Sequence, residues 1–113
     1  MDTNALLWQF ASKVDIEMEL NRLLGGYEIV IPSSVLAELD HVSDRYAKAA
    51  IKFTERYRVV PTELKGDDSI VELAKSLQAM VLTNDKELRH RLKEQGTTVI
   101  FMRQGKYLAM DRP

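Results

Sequence analysis

Val81 to Leu88 reads V-L-T-N-D-K-E-L. Its apolar start is the end of a short strand, and the charged pattern that follows at once is the start of a helix, with Thr83 or Asn84 placed to cap it. A strand that hands over directly to a helix leaves Asp85 at the carboxyl edge of a sheet. In open α/β sheets that edge is where sites form. Three other acidic residues fall at comparable junctions: Asp2, Glu38 and Asp68.

Working outward, Ala79–Leu82 completes this strand. Residues 67–77 before it form a helix that turns Ile70, Leu73, Ala74 and Leu77 inward. Asp67-Asp68-Ser69 opens that helix, and first-turn geometry directs one acid of the pair inward, read here as Asp68. Further upstream, Glu28–Ile31 and Arg58–Val60 are short β-branched strands, each stopped by a proline, Pro32 and Pro61. Ser33 or Ser34 opens a helix through Val35, Leu36 and Leu39 that carries Glu38, and a second helix runs to about Arg56. Residues 12–24 read as a helix capped by Ser12, striped by Ile16, Leu20, Leu23 and Leu24, and ended by Gly25-Gly26. After Asp85, a helix buries Leu88 and Leu92 and ends at Gly96. Thr98–Met102 is the last strand, and residues 103–106 are a turn or tail. Strands alternating with helices make a parallel sheet covered on both faces, here as one domain over residues 1–113.

Composition narrows the function classes. There is no cysteine, hence no disulfide framework, thiolate chemistry or thiolate metal site. No apolar run reaches a membrane span, and the opening Met1-Asp2-Thr3-Asn4 lacks the pattern of a secretory signal, so a cytoplasmic location is expected. Net charge is -1, which argues for no partner in bulk. The basic residues nonetheless gather in 45–58 and 86–112, as a local patch beside an acidic centre would require. No G-x-G-x-x-G follows a strand, and neither a Walker A motif nor H-E-x-x-H is present. His41 and His90 have no nucleophile elbow near them.

Asp2, Glu38, Asp68 and Asp85 are distant in sequence yet all belong at one sheet edge. Carboxylates held together repel, and at least one pKa rises unless a cation compensates. Oxygen-only donors suit Mg²⁺ or Mn²⁺ rather than Zn²⁺. Such an ion lowers the pKa of a bound water and neutralises charge on a phosphate. Thr3, Asn4, Asp67, Thr83 and Asn84 are candidates to orient the ligands or bound water. A blander reading makes Asp68 and Asp85 first-turn acids that favour the helix dipole.

These elements resemble the PIN domain family of metal-dependent ribonucleases. Asp2-Thr3-Asn4 is similar to its D-[ST]-[NS] opening, Val35–Leu39 to V-x-x-E-L, Asp68-Ser69-Ile70 to D-x-[IL], and Thr83-Asn84-Asp85 to T-x-D. Thr83–Arg89 and Arg103–Gly105 resemble the T-N-D-x-E-L-R and R-Q-G elements of small archaeal members. The resemblance implies a three-layer α/β fold with a central parallel sheet of order 3-2-1-4-5. It implies that Asp2, Glu38, Asp68 and Asp85 bind Mg²⁺ or Mn²⁺ and act in catalysis. The substrate would be single-stranded or unpaired RNA, cut to 3′-hydroxyl and 5′-phosphate ends, by a VapC-type toxin or an RNA-processing nuclease. Arg89 and Arg103 are candidates to bind that RNA. A homodimer and an antitoxin or ribosome-assembly partner are further implications. The sequence departs from the family at its start, where Met1 alone stands in place of the first, central strand. That truncation keeps open a second function class, a catalytically weak or inactive scaffold that binds RNA or protein.

Overall fold

The computed structural model describes residues 1–113. Helix α1 (Thr3–Ser12) begins directly after Asp2, whose carboxylate caps it by accepting the Ala5 N–H at 2.8 Å. Helix α2 (Ile16–Leu24) follows separately. The helix expected over 12–24 is therefore shorter. Ser12 is the last residue of α1, Lys13 turns the chain in the left-handed region at φ 62°, and Asp15 is the cap, accepting from the Met18 N–H at 3.0 Å. Strand β1 (Val30–Pro32) leads straight into α3 (Ser33–His41), followed by α4 (Ala47–Thr54) and β2 (Arg58–Val60). Helix α5 (Gly66–Leu77), strand β3 (Val81–Leu82), α6 (Lys86–Glu94) and β4 (Val99–Arg103) follow the anticipated alternation. Thr98–Met102, read as the last strand, is followed by another, β5 (Tyr107–Asp111), antiparallel to β4, and the turn expected within 103–106 joins the two. Gln104 and Gly105 both take positive φ, 57° and 65°, the backbone that a tight hairpin turn needs.

The single sheet of order 3-2-1-4-5 is not present. Two sheets replace it: β1 with β2, both parallel, and β3-β4-β5, with β3 parallel to β4. No strand joins β1 to β3. Met1 and Asp2 lie between them but form too short a segment to be one. The single backbone bond of this segment to β3 runs from the Asp2 N–H to the Leu82 carbonyl at 3.3 Å. A slot of about 350 Å³ separates the sheets, walled by Met1, Leu20, Leu24, Ile29, Leu82 and Ile100.

One apolar core nevertheless runs under both sheets. Leu6, Ile31, Leu88, Leu92, Val99 and Leu108 are among its fully enclosed members, drawn from five elements. The outer edge of β5 is covered rather than left open. Glu19 and Arg22 of α2 bond its backbone at Leu108, accepting the N–H at 2.9 Å and donating to the carbonyl at 2.7 Å. Leu7 is buried, and Trp8 and Phe10 pack on the core, so the apolar residues near the N-terminus are covered from within the chain. No helix is long and apolar enough to cross a membrane.

Candidate active site

The chain leaves β3 through Thr83, Asn84 and Asp85, and these three fix the floor of a cleft. Thr83 is fully buried and extends the β3–β4 ladder by one rung, its N–H bonding the Ile100 carbonyl at 2.9 Å. Its hydroxyl donates to the Asp2 carboxylate and accepts the Asp85 N–H at 3.1 Å. The Asn84 carboxamide then stands in for a peptide group. Its oxygen accepts the Met102 N–H at 2.7 Å and its amide donates to the Met102 carbonyl at 3.4 Å. Strand β4 thus keeps its pairing while the main chain turns away into α6. Asp85 caps that helix, accepting from the Leu88 N–H at 2.9 Å.

Two further elements complete the cleft. Glu38 projects from the second turn of α3, and Asp67 from the first turn of α5, above Ser34 and Ile70. A hydroxyl chain ties these helices together. Ser69 donates to the Gly66 carbonyl at 2.6 Å, so Ser34, at 2.6 Å from Ser69, must donate to it. Sequence reasoning missed Ser34 and Ser69. Only a short polar residue on the otherwise apolar face of each helix start could have marked them.

Of the anticipated quartet, Asp2, Glu38 and Asp85 line this one cleft, with Thr3 and Asn4 beside them. Asp68 does not. It points outward, 65% exposed, and pairs with Arg91 at 2.8 Å. Asp67 takes the inward position instead. The helical repeat contained this: 67, 70 and 74 share one face, and Ile70 and Ala74 are buried, whereas 68 shares its face with Glu72 and Lys75. Burial pushes the Asp67 carboxyl above the usual aspartate range. The charges of Asp85, Asp2 and Glu38 add to this, and Arg91 opposes it. The RNA-binding candidates also divide. Arg103 is exposed and makes no ion pair, while Arg89 is held by Asp111 at 3.0 Å and lies 4.1 Å from the Phe101 ring centre.

No three of the chain's His, Asp or Glu side chains stand close enough to form a ready cage for a metal ion. The donor set is still of the right chemistry. It is oxygen only, it faces a common space of about 50 Å³, and its members repel one another. At about 30 Å³ per water, that space suits a small ion that keeps some of its hydration, as Mg²⁺ does. A larger hollow of about 600 Å³ between α2 and α4 offers nothing comparable. It is lined by only two acids, Asp15 and Glu17, and Glu17 pairs with Arg56 at 2.6 Å.

Comparison with known proteins supplies a family for this α/β frame. The family model described as PIN like domain matches residues 1–105. The chain belongs to the PIN-like domain family. This PIN-like domain is 33% identical to Ribonuclease VapC9 of Archaeoglobus fulgidus, an alignment that covers 94% of this chain and 83% of the relative. It is 34% identical to Ribonuclease VapC4 of Methanocaldococcus jannaschii, over 94% and 90% of the two chains. Among solved structures it is similar to the PIN domain endonuclease Utp24, with a TM-score of 0.83 and 27% identity over 99% of this chain and 89% of that one.

Proposed function

We propose that this PIN-like domain is a Mg²⁺- or Mn²⁺-dependent endoribonuclease that cuts unpaired RNA to 3′-hydroxyl and 5′-phosphate ends. The observation that carries the reading is the cleft itself, where Asp2, Glu38, Asp67 and Asp85 converge from four separate elements. The relatives named as ribonucleases support the substrate class. Asp2, Glu38, Asp67 and Asp85 would hold the ion. Bound there, it would supply an acidified water and charge relief on the phosphate.

The rest is the chain's own work. Asp2 is set by four hydrogen bonds, two to its carboxylate, one to its carbonyl and one from its N–H. Thr83 links that carboxylate to the Asp85 backbone, so the two acids keep a fixed relation. Carboxylates alone would repel an RNA phosphate. Their mutual repulsion, visible at Asp67, is what a divalent cation relieves. A binding-only scaffold is the second reading, favoured by the absence of a ready three-donor cage.

Cleavage of a labelled, unstructured oligoribonucleotide separates the two. The nuclease reading expects cleavage in Mn²⁺ or Mg²⁺ that stops with chelator. It also expects a loss of about 10²-fold or more in folded D67N or D85N, the scale of removing a major electrostatic contribution. Binding without cleavage in any metal selects the scaffold.

A further inference from the structure

Helix α6 carries four basic side chains after Lys86, and they divide by direction. Arg89 and Lys93 turn toward β5, where both hold Asp111, at 3.0 and 3.2 Å. His90 turns outward to Glu94 at 2.8 Å. Arg91 alone of the four turns toward α5, where its Nη2 donates to Asp68 at 2.8 Å. Asp68 is the residue after Asp67, so the guanidinium stands against the first turn of α5, the same turn that carries Asp67 into the acidic cleft.

We infer that Arg91 engages a backbone phosphate of the RNA at the rim of the cleft, and that Asp68 is the positioning residue that holds its guanidinium there. The ligand's identity rests on the nuclease reading. The argument from the chain is one of charge and geometry. A cleft lined by four carboxylates repels a polyanion, so RNA needs a cation close by. Lysines at the rim, Lys65 and Lys86, are exposed and unpaired, but they are flexible point charges. Arg91 is different because one edge is already anchored. Its side chain is 41% exposed, and only one nitrogen is engaged with Asp68. The free N–H groups of the planar fork match two phosphate oxygens. As a strut between α5 and α6 the pair would add little, since exposed ion pairs contribute weakly to stability. Asp68 so acquires a role, though it faces away from the acids with which it was first grouped.

The test reads RNA affinity directly, by fluorescence anisotropy of a labelled unstructured oligoribonucleotide with chelator present, so that it does not depend on cleavage. R91A should weaken binding about tenfold, the loss of one charge-assisted contact, and reduce the salt slope by about 0.7 for a single strand. R91K, which keeps charge without the fork, should fall in between. D68A should weaken binding about threefold, by freeing the arm at a rotamer cost. The double exchange D68R/R91D rebuilds the ion pair with its ends reversed. It should not recover wild-type affinity, and K75A, at the far end of α5, should bind as wild type. R91A within twofold of wild type, full recovery in the exchange variant, or no RNA binding by wild type would overturn the inference. Wild type that binds RNA through Arg91 but cleaves it in no metal would defeat the nuclease reading alone.

Discussion

The Thr83 hydroxyl donates to the carboxylate of Asp2, a residue 81 positions away, and it is the side-chain contact that joins the start of the chain to the exit of β3. Both groups are buried. T83V keeps the shape and removes the donor, which leaves a buried carboxylate short of a partner. The cost should be about 1–3 kcal/mol, read by urea unfolding. Cleavage should fall as Asp2 loses its fixed position. T83S restores the hydroxyl and should recover most of both losses. A T83V protein as stable and active as wild type would show that Asp2 is held by the Ala5 N–H alone.

Asn84 makes a separate prediction. Its carboxamide closes the β3–β4 ladder at Met102 while the main chain turns. N84A should cost about 1 kcal/mol and speed amide exchange at Met102. N84D retains the acceptor for the Met102 N–H and should protect that amide better than N84A. Equal exchange in all three proteins would remove the side chain from the ladder.

Why these contacts were partly legible is instructive. The junction at Thr83–Asp85 showed because period changes where a strand becomes a helix. Asp85 showed because it sits at that junction, Asp2 because it opens the first helix, and Glu38 because it lies one turn into the helix that follows β1. Asp68 was misplaced although the repeat that places Asp67 inward was in the sequence. With α5 beginning at Gly66, position 67 falls in phase with Ile70 and Ala74. Strand β5 was missed because Y-L-A-M-D lacks clean alternation. It is held instead by the Gln104-Gly105 turn and by Glu19 and Arg22, nearly ninety positions away. The gap between the two sheets is a tertiary fact. Periodicity describes each strand, and nothing local to β1 or β3 reports whether another strand lies between them.

Strand β5 also carries a pH dependence. Hydrogen bonds from Arg89, then from Lys93, hold the Asp111 carboxyl below the usual aspartate range. A folded pKa below the unfolded one means that the stabilisation is fully present above the ordinary aspartate value. It is lost as pH falls through the lowered value. Thermal midpoints measured in acid should therefore drop more steeply for wild type than for D111N. At neutral pH, D111N should be the less stable of the two. Parallel curves would show that the clasp contributes nothing to acid sensitivity.

Asp67 behaves in the opposite sense, and this separates it from Asp68. Burial and the charges of Asp85, Asp2 and Glu38 raise its pKa above the unfolded value, with Arg91 opposing. The folded state then holds the proton longer than the unfolded state does. Stability falls as pH rises from the ordinary aspartate value through the raised one, and it stays lowered above that. In chelator at neutral pH, D67N should therefore be more stable than wild type, by under about 1 kcal/mol because solvent screens so open a carboxyl. The gain should vanish in acid, where wild type is protonated in both states. Mn²⁺ should reverse the order. An ion at a hundred times its dissociation constant stabilises the folded state by about 2.7 kcal/mol, and D67N should forfeit much of that. D68N should do neither, since it loses only an exposed ion pair and leaves the cleft acids intact. Thermal melts of the three proteins, in chelator and in Mn²⁺, decide the matter. A full Mn²⁺ shift in D67N together with a lost shift in D68N would return the site to Asp68.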